Sequence, residues 1–291
     1  MHRRRPTDLV VALTYYAPYV SGLSATARGV AEGLAERGWR VHVVTCRHDP
    51  SLPVEEELNG VKVIRCRSLA RLSKGVIAPA FVPRAVRELR MARAGHFHLP
   101  LLEAGVIARA VGRSTPLLST YHCDVALPPS LVNQAAMRSV LASARSAIRH
   151  SEAVVVSSLD YARASLLWPE LRARPLAPIP PPCLDRGGGS PMFRDGPGPH
   201  IGFLGRIVEE KGLALLIQAF IKLDRPDARL LIGGDYEGVA GGSVIAHLRA
   251  LAPDDDRIRF LGFIPEDRLA DFYASLDCFA FPSVNAFEGF G

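Results

Sequence analysis

Two cationic side chains follow an apolar run in the second half of the chain, at a spacing that suits phosphate binding. Ile201 to Leu204 has the composition of a buried strand, and Gly205 begins a turn. Arg206 and Lys211 then precede a helix predicted over residues 213–223. The N–H groups and dipole of a helix start attract anions, and fixed cations add charge-assisted hydrogen bonds of roughly 1.5–3 kcal/mol each. The spacing therefore predicts a phosphate site.

A carboxylate stands in a similar setting at the far end of the chain. Glu288 follows a Pro-Ser turn and precedes the run Gly289, Phe290 and Gly291. Bare backbone at glycine lets a ligand approach closely, and a carboxylate accepts hydrogen bonds from hydroxyl groups. A phosphate site together with a carboxylate that accepts hydrogen bonds from hydroxyl groups suits a nucleotide sugar.

These residues resemble glycosyltransferase family 4, the retaining, nucleotide-sugar-dependent enzymes with the two-domain GT-B fold. The family has G-R-x(4)-K-G in its second domain, and later a Pro-Ser pair and an E-G-F-G run that opens an E-x(7)-E signature. The matching positions are Gly205, Arg206, Lys211, Gly212, Pro282, Ser283 and Glu288 to Gly291. The second Glu would fall after Gly291. The sequence thus resembles a member cut short inside this motif, and we expect the 291-residue chain itself to be inactive.

The resemblance implies a role for each matching residue. Arg206 and Lys211 would grip the diphosphate, and Glu288 would contact the donor sugar. The donor-binding set would also include Gly205, Ser283, Gly289, Phe290 and Gly291. The alternative for the two cations is a loop held by salt bridges, with Glu209 and Glu210 as the partners.

Further candidates lie in the first half of the chain. Gly22 occupies the turn between the first predicted strand and its helix, where the family often has a Gly-Gly pair and this chain has Ser-Gly. His122 and Asp124 follow a buried strand and match the family pattern T-x-H-x-D. The resemblance makes all three donor contacts, with His122 in the catalytic group. The alternatives are an ordinary βα turn and a packed or solvated histidine.

No metal site is predicted. Asp254, Asp255 and Asp256 contain a D-x-D pattern, but they precede a strand as an acidic turn. His96 and His98 lack a third indicated ligand. We expect no cofactor and no metal requirement.

Strands and helices alternate along the chain, which predicts parallel sheets. A zone rich in Pro and Gly at about 178–199 reads as a linker. The fold class is therefore α/β, with two Rossmann-like doubly wound domains of the GT-B type and an incomplete second one. Residues 1–196 would form the acceptor-side domain and residues 200–291 the domain that binds the nucleotide sugar.

Charge is divided unevenly between the halves. There are 26 Lys and Arg against 15 Asp and Glu before His200, and 9 against 14 from there on. Segment 62–93 is strongly basic and includes an amphipathic helix, which either packs as an ordinary solvated helix or contacts an anionic membrane. No pattern of stacking aromatics accompanies the charge, so nucleic acid is not expected as a partner. Five scattered cysteines indicate neither disulfides nor zinc and fit the cytoplasm.

The predicted function is transfer of a hexosyl unit, with retention, from a UDP-, GDP- or ADP-sugar to a hydroxyl acceptor. That acceptor would be a lipid-linked or cell-surface glycan, which would place the protein in the cytoplasm or peripherally on the inner face of the membrane. One alternative is a GT-B-type sugar-nucleotide epimerase. The other is an inactive remnant or a membrane-associated module.

Overall fold

A computed structural model of the chain describes residues 7–72, 75–125, 130–183, 185–236, 244–284 and 289. The described residues form two compact units, with the boundary between Pro182 and Cys183. Each unit has its own sheet and its own hydrophobic core.

The first unit is built on an eight-stranded sheet. Its strands and those of a separate small hairpin are β1 (Thr7–Ala12), β2 (Val41–Arg47), β3 (Glu55–Leu58), β4 (Val61–Arg67), β5 (Ala70–Leu72), β6 (Gly75–Ile77), β7 (Ala92–Leu99), β8 (Leu117–Tyr121), β9 (Ala153–Val156) and β10 (Leu176–Pro178). Its helices are α1 (Gly22–Glu36), α2 (Phe81–Met91), α3 (Ala104–Val111), α4 (Leu131–His150), α5 (Leu159–Ala164) and α6 (Trp168–Leu171). The sheet order is β10-β9-β8-β7-β1-β2-β4-β3, with only β3 antiparallel to its neighbour among these strands, while β5 and β6 pair with each other.

Both faces of this sheet are covered, as parallel sheets require. Leu9 and Val11 of β1 face the core that contains Ala27 and Ala31 of α1. The alternate residue Val10 faces the larger core, to which α2, α3 and α4 contribute. All these side chains are almost fully buried, which is why the strand sequences are continuously apolar.

The second unit has a four-stranded parallel sheet of order β13-β12-β11-β14. Its strands are β11 (His200–Leu204), β12 (Arg229–Gly233), β13 (Ile258–Gly262) and β14 (Cys278–Phe279), and its helices are α7 (Leu213–Ile221), α8 (Ile245–Ala250) and α9 (Leu269–Ala274). Helices α7 and α8 cover one face, and Phe272 of α9 packs on the other.

Each sheet reverses its direction of growth once. In the first unit the chain builds outward from β1 through β2 to β4 and then returns to place β7 on the other side of β1. In the second unit it builds from β11 to β13 and returns to place β14 beside β11. Ligands of doubly wound sheets bind in the crevice that such a reversal opens at the carboxyl ends of the strands. The fold therefore directs attention to the residues after β1 and β7, and after β11 and β14.

The predicted α/β class with Rossmann-like sheets is confirmed, while the segment predicted as a linker divides between the units. Residues from Cys183 onwards group with the second unit. Within it, the Ser190 amide donates to Asp271 Oδ1 at 2.9 Å and the Phe193 amide to Ser275 Oγ at 3.0 Å. This part of the Pro- and Gly-rich zone is thus packed against the second sheet and its helix α9.

The basic segment 62–93 is neutralised more than its own sequence indicates. Lys62 Nζ lies 3.1 Å from Glu55 Oε2, and Arg84 Nη2 lies 2.6 Å from Glu55 Oε1. Arg65 is buried and paired with Glu56. Both acidic partners belong to β3, an element that was not predicted. The pairing favours the interpretation of an ordinary folded surface, and the membrane contact stays a prediction. Among the described residues, no helix has the length and apolar character needed to cross a bilayer.

The buried Arg65 generates a stability prediction. Besides the pair with Glu56, its guanidinium donates to the carbonyls of Pro53 at 3.3 Å and Ala17 at 2.8 Å. Removing one partner of a buried ion pair leaves an uncompensated charge, so we expect Glu56→Ala to destabilise the first unit by about 3 kcal/mol.

The measurement is urea unfolding followed by tryptophan fluorescence, because both tryptophans, Trp39 and Trp168, lie in the first unit. The control is Glu57→Ala, which removes an exposed carboxylate from the next position of the same strand. Equal unfolding midpoints for the two variants would contradict the prediction.

Candidate functional site

The loop after β11 carries the two predicted phosphate ligands. The Gly205 amide donates to the Gly233 carbonyl at 3.1 Å, and the Ile207 amide donates to the Asp235 carbonyl at 3.0 Å. These bonds fix the loop to the end of the neighbouring strand β12. Arg206, between the two fixed positions, has a side chain that is 52% exposed.

Arg206 is paired, as the salt-bridge alternative proposed, but weakly. Its Nη2 lies 3.1 Å from Glu210 Oε1, and the carboxylate is itself 44% exposed. Exposed pairs of this kind contribute about 0.2–1 kcal/mol, less than charge-assisted bonds to a phosphate. The pair with Glu210 is therefore weak enough to be exchanged for a bond to a phosphate group.

Lys211 lies at the other end of the loop, beside the second predicted motif. Its ammonium is 5.0 Å from the centre of the Phe281 ring, which follows β14. A cation over an aromatic face is attracted by the quadrupole of the ring, so this contact helps to hold the ammonium in place. The position keeps the positive charge of Lys211 beside the start of α7.

Gly212 connects the loop to α7 in a conformation that favours glycine. Its φ is +68°, in the left-handed region, and a Cβ built on it would lie 2.0 Å from the Pro282 carbonyl oxygen. No side chain of the described residues caps α7, and its first turn holds no acidic residue. The amide groups at the start of α7 are therefore an anion-binding feature next to two cations.

The Pro-Ser motif packs directly on this loop. Ser283 Oγ donates to the Glu210 carbonyl at 3.2 Å, and the Val284 amide donates to the same oxygen at 3.1 Å. Two motifs some seventy residues apart are thus joined at the crevice between β11 and β14. Gly289 is described and half-buried, whereas Glu288, Phe290 and Gly291 lie outside the described residues.

Gly22 of the first unit is the first residue of α1, directly after β1 and its loop. Ser21 caps the helix: its Oγ accepts from the Ser24 amide at 3.1 Å, and its own amide donates to Ser24 Oγ at 2.8 Å. A Cβ built on Gly22 would meet no atom within 4 Å. The fold does not need a glycine at this position, so the small residue leaves open space at a helix start.

His122 belongs to a cluster of three histidines at the carboxyl ends of β7 and β8. Its Nε2 lies 2.9 Å from His98 Nδ1, and the two rings stack with centroids 5.2 Å apart. The His96 ring lies 4.4 Å from that of His98, and its Nε2 is 2.8 Å from Thr120 Oγ1. Sequence reasoning named His96 and His98 but found no third partner. The sequence shows that His96 and His98, two apart on a strand, share a face, but the third partner is His122, directly after β8, which comes close only because β8 pairs with β7.

Burial keeps the three imidazoles neutral. Desolvation lowers the pKa of His96 and of His122 from 6.5 to about 4, and that of His98 well below 6.5. His98 is fully buried, and its Nε2 has no partner among the described residues. The cluster offers neutral hydrogen-bonding groups at ordinary pH.

Asp124 is committed to the fold of the first unit. Its Oδ1 accepts from the hydroxyls of Tyr121 and Ser165, and its Oδ2 accepts from the Leu166 amide at 3.2 Å. Its own amide donates to the Tyr161 hydroxyl at 2.8 Å. These bonds give Asp124 a structural role, tying the end of β8 to the segment between α5 and α6. A donor contact by Asp124 stays a prediction.

The described residues contain no group of three or more side chains that could hold a metal ion. Asp255, at the centre of the D-x-D pattern, pairs with Arg257, with Oδ2 2.7 Å from Nη2. That hydrogen bond holds the pKa of Asp255 below its usual 3.8. In the histidine cluster, His98 Nδ1 is hydrogen-bonded to His122 Nε2, and His96 Nε2 is hydrogen-bonded to Thr120 Oγ1.

The chain matches one protein family in each of its two units. Residues 21–182 match the family described as glycosyl transferase 4-like domain, and residues 198–291 match the family described as glycosyl transferases group 1. The chain belongs to these glycosyltransferases. The two matches divide where the structure divides, and the second contains the loop of Arg206 and Lys211.

One curated relative of this glycosyltransferase is the 2-deoxystreptamine glucosyltransferase of Streptomyces kanamyceticus, 31% identical over 207 residues. That match covers 64% of this chain and 51% of the relative, so the two are matched over about half of the relative's length.

Solved structures show the same fold. Sucrose-phosphate synthase from Thermosynechococcus elongatus superposes with a TM-score of 0.71 at 20% identity, over 98% of this chain and 77% of that protein. Anabaena HepE, solved in complex with UDP-glucose, gives 0.65 at 17% identity, over 98% and 76%. The fold predicted for this glycosyltransferase, GT-B, is confirmed.

The histidine cluster generates a pH prediction for the first unit. A histidine with a folded pKa of about 4 takes up its proton only in the unfolded chain between pH 6.5 and pH 4. Stability must therefore fall as the pH is lowered through this window. We expect His96→Gln, which keeps an amide within reach of Thr120, to lose on the order of 3 kcal/mol less than the parent between pH 6.5 and 4.

The test is urea unfolding at several pH values, followed by tryptophan fluorescence. Carboxylates with lowered pKa values, such as Asp8 and Glu55, titrate in both proteins and cancel in the comparison. Identical pH slopes for variant and parent would show that the buried imidazole is not the source.

Proposed function

We propose that the protein transfers a hexosyl unit from a nucleoside-diphosphate sugar to a hydroxyl acceptor, with retention of configuration at the anomeric carbon. The observation that carries the proposal is the crevice between β11 and β14. There Arg206, Lys211 and the uncapped start of α7 form one anion-binding feature, and the loop at Pro282 packs against it.

The chemistry required of these residues is electrostatic. When the sugar leaves, negative charge grows on the diphosphate, and cations already held in place stabilise it without reorganisation. Arg206 offers planar donors for two phosphate oxygens, while Lys211 offers a point charge. The leaving diphosphate can then serve as the base for the incoming hydroxyl, which is the route the family resemblance implies for retention.

Two residues of the first unit that are predicted to contact the donor, Gly22 and His122, are uncharged. Gly22 leaves space for a phosphate or sugar at the start of α1, and His122 offers a hydrogen-bonding nitrogen of an imidazole that stays neutral at ordinary pH. A neutral group suits sugar hydroxyls, since a buried cation among hydroxyls would lack a counter-charge.

The first experiment is calorimetric titration, with UDP-, GDP- and ADP-sugars, of a chain extended through the second Glu of the E-x(7)-E motif. UDP-glucose comes first because HepE was solved in complex with it and because the kanamyceticus relative is named a glucosyltransferase. Proton NMR of the product then reads the anomeric configuration. Binding of none of the three donors would overturn the proposal.

Loss of either cation should slow the reaction with little effect on the fold. We expect Arg206→Ala and Lys211→Ala, each made in a chain extended through the second Glu of the E-x(7)-E motif, to lower turnover at least about 10²-fold, since a preorganised donor to a developing oxyanion contributes about that much. The matched control is Lys222→Ala, an exposed lysine at the opposite end of α7. Normal turnover in both site variants would remove these residues from the reaction.

The reaction should also proceed without a divalent metal, because two protein cations already neutralise the diphosphate. We expect the turnover of the extended chain to be unchanged within about twofold after treatment with EDTA and gel filtration. Activity that disappears with EDTA and returns with Mn²⁺ or Mg²⁺ would contradict this expectation.

A further inference from the structure

A mostly apolar cavity of about 250 Å³ lies in the first unit beside the end of β8. Its walls come from the residues after β8, from α4 and from the segment between α5 and α6. Its apolar lining includes Tyr121, Met137, Val140, Leu141, Leu166 and Leu167.

The polar groups of the wall are few, and the carboxylate among them is already engaged. Asp124 lines the cavity, but its oxygens accept hydrogen bonds from Tyr121, Ser165 and Leu166. A hydroxyl-rich ligand would therefore find few partners inside the cavity. An apolar chain needs none, and its burial releases water from the lining.

One cation lies on the wall without a counter-charge. Arg138 of α4 is exposed, and within the part of the chain that the structure describes it makes no ion pair or hydrogen bond. Its neighbours on the helix differ, since Arg145 and Arg149 both reach Glu170 Oε1, at 3.4 and 3.0 Å. Helix α4 itself contains no Asp or Glu, so nothing on it neutralises Arg138.

The volume of the cavity suits one part of a ligand rather than a whole ligand. Cavities for complete small molecules are roughly 300–1,000 Å³, somewhat larger than this one. Leu166, on the wall, is 61% exposed, so the apolar surface continues outward from the cavity. A long molecule can place one segment inside and extend beyond it.

We infer that this cavity binds the apolar chain of an anionic amphiphile whose phosphate pairs with Arg138, and that this amphiphile is a lipid-phosphate-linked acceptor. The acceptor role of the amphiphile rests on the proposed function, whereas its binding in the cavity does not. Cys123 of the cavity wall and His122 are consecutive residues after β8, so the cavity lies at the carboxyl end of this strand. Ligands of doubly wound sheets bind at that end of the strands.

The probe for the test is decyl phosphate, used below its micelle concentration and titrated calorimetrically into the whole protein. We expect it to bind at least about tenfold more tightly than inorganic phosphate or decanol, because each of these has only one of the two features. Met137→Glu, which puts a charge into the apolar wall, should weaken binding at least about tenfold, and Arg138→Gln about fivefold. The matched control is Ser139→Glu, which adds the same charge at an exposed position of the same helix.

Cysteine alkylation locates the bound probe. Cys123 lines the cavity, while the exposed Cys278 belongs to the second unit. Decyl phosphate should slow alkylation of Cys123 by iodoacetamide, read by mass spectrometry of peptides, and leave Cys278 unaffected.

Three results would overturn the inference. They are equal binding by the parent, Met137→Glu and Arg138→Gln, unchanged alkylation of Cys123, and binding to phosphatidylglycerol vesicles without binding of monomeric decyl phosphate. Binding of UDP-glucose without decyl phosphate would reject the cavity alone. Binding of decyl phosphate without any nucleotide sugar would support the cavity and reject the proposed function instead.

Discussion

The close approach of Gly212 to the Pro282 carbonyl is the constraint on which the candidate site of the second unit depends. A side chain at position 212 would collide with that oxygen and would also be strained at φ +68°. Because the residue has no side chain, the loop after β11 can pack against the loop after β14 while α7 begins at once. The same approach lets Ser283 and Val284 bond to Glu210, so the anion-binding start of α7 and the later motif are held as one body.

Much of the fold could be predicted because a parallel sheet buried on both faces needs continuous apolar strands. Ile201 to Leu204 has that composition and lies in strand β11, as predicted. Strand β3 was missed because Glu55, Glu56 and Glu57 resemble an acidic loop. Its stability comes from antiparallel pairing with β4 and from cations on other elements, which no local pattern reveals. Strand β10 is three residues long, ends in Pro178 and lies at the sheet edge, where proline is tolerated.

The candidate site, like the fold, has parts that could be predicted from the sequence and parts that could not. The arrangement of the loop after β11 could be predicted, since a glycine turn, two cations and a helix start are neighbours in sequence, while anion binding by this loop stays a prediction. What could not be predicted is which neighbours compete for them. Asp124 matched a motif as well as His122 did, but the carboxylate is used by Tyr121 and Ser165, whose positions depend on the tertiary fold. The third histidine of the cluster likewise required knowledge that β8 lies beside β7.

The two units present chemically different surfaces at their switch points, and the difference follows from burial. In the second unit Arg206 is half exposed, so its charge costs little to maintain and is available to an anion. In the first unit the imidazoles are withdrawn from water, and desolvation removes their charge, leaving neutral nitrogens. The donor proposed above, a nucleotide sugar, also combines an anionic diphosphate with neutral hydroxyl groups. The two environments are not interchangeable. A buried cation among hydroxyls would lack a counter-charge, and an exposed imidazole carries too little charge at neutral pH to hold a diphosphate.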